Sequence, residues 1–186
     1  MDLIRVSSQK NKLSAFESFL RKDIALLIRT KPSVKKAMMK YGLLDFVPDF
    51  HHNGTLPDSQ AKRDAIITKM LTWGTAPTFM VMNDTGDAFG IYMPGVQNIR
   101  IYKDLVETWE GNQKDKVLCR GLMATVIHEM VHYLNDVILP SNSMHTGPNH
   151  LRKNFHHEAF GPLSWDRGHY QVLAPVLKLK GVTPPS

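Results

Sequence analysis

His128 and His132 stand four residues apart, and Glu129 directly follows the first, so that positions 128–132 read His-Glu-Met-Val-His. On an α-helix, positions i and i+4 share a face one turn apart. Two imidazoles so placed can both reach one metal ion. The carboxylate between them lies close enough to take a proton from a nearby water. Two zinc ligands and a general base are the donor set of zinc-dependent peptide hydrolysis. With 9 His and 5 Glu in 186 residues, random placement gives roughly 0.01 occurrences of the pattern. The bland alternative is a solvent-facing helix turn that happens to carry two histidines. The flanks argue against it, because Leu122, Met123, Val126, Ile127, Met130, Val131 and Leu134 make the helix apolar around most of its circumference. Histidine and glutamate on a buried helix are costly unless paired or metal-bound.

A catalytic zinc takes three protein ligands and keeps one position open. The metzincin continuation, H-E-x-x-H-x-x-G-x-x-H, is absent: Asn135 stands in place of the Gly and Ile138 in place of the last His. Asp136 lies a turn of rise beyond His132, which suits an orienting role better than ligation. A second helix is expected over 149–160, stopped by Gly161-Pro162. With Leu151 set at 0° and about 100° per residue, Phe155 falls near 40°, Glu158 near −20° and His156 near 140°. Glu158 thus shares the apolar face, where a carboxylate needs a reason such as zinc. It is the expected third ligand. His156 is the first alternative, followed by His145, His150, His157 and His169, and the bland reading of His156-His157 is an exposed pair. A Glu supplied by the next helix is the gluzincin plan. The thermolysin form of that plan has an acidic residue four positions later, where this chain has Pro162, so Asp136 or Asp166 is left to orient a ligand. His169 and Tyr170 are candidate donors to the oxyanion of the tetrahedral intermediate; the alternative is that Tyr170 and Trp165 are C-terminal core.

The elements that must position these residues follow from periodicity. Leu13, Phe16, Phe19, Leu20, Ile24 and Leu27 predict a helix over about 10–29, ended by Lys31-Pro32. A shorter helical piece follows over 33–41, then a loop from Gly42 to Pro57 carrying His51-His52 as surface residues. Asp58 or Ser59 caps a helix to about Trp73. Thr78–Met82, Gly90–Met93 and Asn98–Tyr102 read as strands, with a turn at Asp84-Thr-Gly-Asp and another around Pro94-Gly95. A short helix over 104–110 precedes the long helix from about Asp115 to Asp136. The fold class is therefore α+β: N-terminal helices, a small twisted sheet, a buried H-E-x-x-H helix and a C-terminal ligand-bearing helix. That order suits a zincin, in which an edge strand, here sought within Gly90–Tyr102, holds extended substrate by strand addition.

Composition fits one domain over 1–186, with a basic helical part (1–74) and a catalytic part (75–186). Residues 1–40 hold ten Lys/Arg against three Asp/Glu; the rest hold 13 against 14. The site-bearing part is nearly neutral. The basic excess reads as solvated helix faces, since neither aromatic interleaving nor a nucleic-acid motif accompanies it. No apolar run is long enough to span a membrane, and the first residues lack the layout of a secretory signal. Cys119, the only cysteine, allows no intrachain disulfide, and its neighbours Leu118 and Leu122 predict a buried thiol.

Two features resemble bacterial toxin and effector metallopeptidases. One is the run Gly90-Ile-Tyr-Met-Pro-Gly-Val-Gln-Asn-Ile-Arg-Ile-Tyr-Lys-Asp-Leu-Val leading to His128-Glu-Met-Val-His132; the other is Phe155…Ala159-Phe160-Gly161. The likeness covers about 75–165. Such domains occur at the C-terminus of type VI secretion spike proteins and Rhs-type proteins, and as free-standing effectors. The resemblance implies a zincin fold with Zn2+, a protein or peptide substrate, a secretion-apparatus carrier, an immunity protein and delivery from the bacterial cytoplasm into a target cell. It places the third ligand directly after Phe155, where this chain has His156, against the helical-face argument for Glu158. Two other readings compete: a zinc peptidoglycan hydrolase or amidase using the same residues, and a binding protein with structural zinc or none, working through its basic N-terminus. Glu129 beside the first His favours chemistry, because a structural zinc site has no use for it.

Overall fold

The computed structural model describes residues 1–5, 13–42, 60–83 and 89–138. Strand β1 (Asp2–Ile4) opens the chain. Helices α1 (Ser14–Ser18) and α2 (Ala25–Thr30) flank a π-helical segment (Phe19–Ile24) in one continuous rod, and α3 (Pro32–Gly42) and α4 (Gln60–Met70) follow. Next come β2 (Thr78–Met82), β3 (Gly90–Met93), β4 (Asn98–Tyr102), α5 (Lys103–Gly111) and the long α6 (Lys116–Ile138). The architecture is α+β, as the sequence led one to expect. Helix α4 stops at Met70, three residues before Trp73. The loop at 43–57, the cap at Asp58 or Ser59, the turn at 84–87 and the helix over 149–160 lie outside the described residues.

The four strands form one mixed sheet in the order β1-β2-β4-β3. β1, β2 and β4 are parallel, and β3 runs antiparallel to β4 with Gly90 opposite Ile101 and Tyr92 opposite Ile99. Period-2 alternation does its usual work. Phe79, Val81, Ile99 and Ile101 are at most 1% exposed, and with Gly90 and Tyr92 they share the face on which α6 lies. The search for an edge strand within Gly90–Tyr102 narrows to β3, because β4 is paired on both sides.

The N-terminal rod explains its own π segment. Phe16, Leu20, Ile24 and Ile28 are all 0% exposed, and they are spaced strictly four apart. On an α-helix that spacing drifts about 40° per step. The wider i→i+5 turn of a π segment takes up the drift and keeps all four on the core. At the rod's start Leu13 has φ 68 and offers no side-chain cap. Glu110, at the end of α5, supplies one from a distance: its Oε1 accepts from the Phe16 backbone N–H at 3.0 Å. Phe19 packs on Trp109 with ring centroids 4.9 Å apart. The basic residues of this half fall mainly outside the core, Lys22, Arg29, Lys31 and Lys36 among them.

Candidate active site

Helix α6 carries the site. Leu122, Val126, Ile127, Met130, Val131 and Leu134 are fully buried, so the helix is embedded on most sides as its composition requires. His128 and His132 sit half-buried at its opening to solvent, while Glu129 is only 6% exposed. The two imidazoles meet edge to face with centroids 4.8 Å apart, and their Nε2 atoms are 3.1 Å apart.

That separation tests whether a metal fits. Two nitrogens bound at about 2.0–2.1 Å to one tetrahedral zinc lie about 3.3 Å from each other. The observed distance is within a few tenths of an ångström of it, and each Nε2 is the outer nitrogen of its ring. The donors present therefore fit two positions of a zinc shell. Among the described residues no group of three His, Cys, Asp or Glu completes it. Glu158, His156, His169 and Tyr170, with the other C-terminal histidines and Asp166, lie outside the described residues.

Strand β3 closes one side of the site. Gly90 lies so close to α6 that a Cβ there would stand 2.8 Å from Thr125 Cγ2 and 2.9 Å from Glu129 Cγ. A side chain at this position would meet α6, so glycine lets the strand pass close beside the stem of Glu129. Two residues on, the Tyr92 hydroxyl donates to Asp136 Oδ2 at 2.6 Å in a buried bond. Burial first, and the adjacent Asp136 carboxylate second, push the Tyr92 phenol far above its ordinary pKa, so it stays a donor. Tyr133 packs edge-on against Tyr92, and burial and Asp136 raise its phenol too. Asp136 is thus committed to the edge strand; among the described contacts it orients neither histidine. Neither Gly90 nor Tyr92 was picked out as a site residue by sequence reasoning, although a glycine opening a strand opposite a buried helix is a signal of close approach.

Asn135 sits where the metzincin pattern has glycine, and its role is structural. Its amide donates to the carbonyls of Tyr41 at 2.7 Å and Gly42 at 2.9 Å, capping the C-terminus of α3. Helix α6 runs straight past it to Ile138. Cys119 is half-buried rather than buried, and burial raises its thiol pKa. Among the described residues no helix is long and apolar enough to cross a membrane.

The model of a family described as metallopeptidase toxin 3 matches residues 9–161. The match reaches back through the basic N-terminal helices, well beyond the segment whose motifs carried the resemblance. No curated protein and no solved structure matches the chain.

Proposed function

Because the chain belongs to the metallopeptidase toxin 3 family, we propose that it is a zinc-dependent peptidase whose metal is held by His128 and His132. The observation that carries this reading is the pair of Nε2 atoms 3.1 Å apart beside a buried carboxylate. Zinc, when bound, polarises the scissile carbonyl and lowers the pKa of water. Glu129 takes the proton of the attacking water and passes it to the leaving amine. Its burial keeps it out of bulk solvent, and the absence of a side chain at Gly90 leaves room for its stem. Among the described residues β3 lies at the edge of the sheet, where an extended peptide can pair.

The third ligand in this reading is Glu158 from the C-terminal helix, with His156 as the alternative, which is the gluzincin arrangement. Tyr170 and His169 are the proposed donors to the oxyanion. The whole of 1–186 acts as one domain, made in a bacterial cytoplasm and delivered as an effector into a target cell, with a carrier and an immunity protein as partners.

Elemental analysis of wild type, His132→Ala, Glu158→Ala and His156→Ala tests the site. One zinc per chain, lost in His132→Ala and in one of the other two, is expected. No zinc in wild type, even after it is added back, would sink the reading. Cleavage of protein and cell-wall peptides, compared between wild type and Glu129→Ala, separates peptidase from amidase. Loss of the general base should cost about 10²–10⁴-fold.

A further inference from the structure

A half-open cavity of about 280 Å³ lies between the β3–β4 turn and the end of α6; among the described residues Gly95, Gln97, Asp136 and Val137 line it. Its floor carries a charge. Asp136 is 6% exposed, and Tyr92 occupies only its Oδ2. Among the described residues the other oxygen, Oδ1, has neither a hydrogen-bond nor an ion-pair partner. That oxygen is not sealed from water, so its acceptors are open to a cation entering the cleft. The wall beside it is Val137, an apolar side chain 38% exposed. The opposite rim is fixed by its backbone: Gly95 at φ 83 and Gln97 at φ 49 hold the turn in left-handed geometry, and the Gln97 carbonyl accepts from Thr78 N–H at 3.1 Å. An anionic floor, an apolar wall and room for one long side chain describe a receptor for a cationic side chain with a methylene stem.

We propose that this cleft receives a lysine or arginine side chain of the substrate, with its cationic head on Asp136 and its stem against Val137. The inference rests on the peptidase reading above and adds a specificity to it. Asp136 is four residues beyond His132, about 6 Å along the helix. A peptide extended beside β3 advances about 3.3 Å per residue. The recognised side chain therefore sits about two residues from the scissile bond. Tyr92 is the positioning residue: it ties the carboxylate to the edge strand along which the peptide would lie.

The test uses the full zinc-loaded chain and three matched peptide series, with Lys, norleucine or Glu walked through the positions flanking the cleaved bond. At one position kcat/KM should favour Lys over norleucine by about tenfold or more, and Glu should be worst. Asp136→Asn keeps an acceptor for Tyr92 and the shape of the floor but removes the charge, and it should bring the Lys/norleucine ratio close to one. Equal cleavage of all three series, or an unchanged preference in Asp136→Asn, overturns the proposal. Fluorescence anisotropy with the same peptides on Glu129→Gln gives a ranking independent of turnover. A lysine preference in binding that Asp136→Asn abolishes, with no cleavage by wild type, would leave the cation site standing and remove the peptidase reading. No preference in binding and no cleavage would remove both.

Discussion

At the scale of single residues, the site divides into what a local pattern can encode and what it cannot. The placing of His128, Glu129 and His132 together was legible because their relation is a helical turn, fixed by backbone geometry whatever surrounds it. Gly90 and Tyr92 were not, because their meaning lies in Thr125, Glu129 and Asp136, which only the fold brings near. Asn135 is the clearest case. The sequence marks it as a departure from the metzincin pattern, but the two acceptors that tie it to α3 are 93 and 94 residues away. Gly90 yields a sharp expectation. In Gly90→Ala the new methyl meets Thr125 and Glu129 at under 3.0 Å, so strand or side chain must move. Overpacking of this kind costs about 1–3 kcal/mol, measurable by urea unfolding. Activity should fall further than stability does, because a displacement of about 1 Å at a reacting group can cost about 10²-fold. A loss of activity no larger than the loss of folded protein would mean that Gly90 serves packing alone.

At the scale of elements, the strands β2, β3 and β4 were readable to the residue, since alternation and flanking turn residues agree. β1 escaped, being three residues long and stabilised by parallel pairing with a strand far along the chain. The N-terminal rod was readable as a helix but not as one with a π segment, because apolar residues four apart look equally helical in either form. Its start was hidden for a different reason. The cap on Phe16 N–H comes from Glu110, a tertiary partner in place of the local Ser, Thr or Asp that sequence rules seek. Removing that carboxylate in Glu110→Ala leaves the donor unpaired and should lower stability by about 1 kcal/mol. Circular dichroism through a denaturant series reads this directly, and no change would mean that water caps the helix equally well.

At the scale of the whole molecule, the first and middle parts of the chain are stitched together around one helix. The Met1 amine, part of that stitching, donates to the carbonyl of Met70 at 2.8 Å and to the Thr75 hydroxyl at 3.1 Å. Burial lowers its pKa from 8.0 to about 6. Between those values the unfolded chain takes up a proton that the folded one does not, so this group's contribution to stability declines as pH falls from 8 towards 6 and is flat below. An NMR titration of the α-amine should give a midpoint near 6 in the folded protein; a midpoint near 8 would place the amine in solvent. The Asn135 cap has a wider reach. It closes the helical half onto α6 only after both have left the ribosome, and the edge strand joins through Gly90 and Tyr92 in between. Contacts so far apart in sequence carry a large loop-closure cost that slows folding. The histidine pair is written within a single turn, but the walls around it are assembled from three distant parts of the chain. A nascent or unfolded chain therefore carries the motif without the walls that the finished fold sets around it.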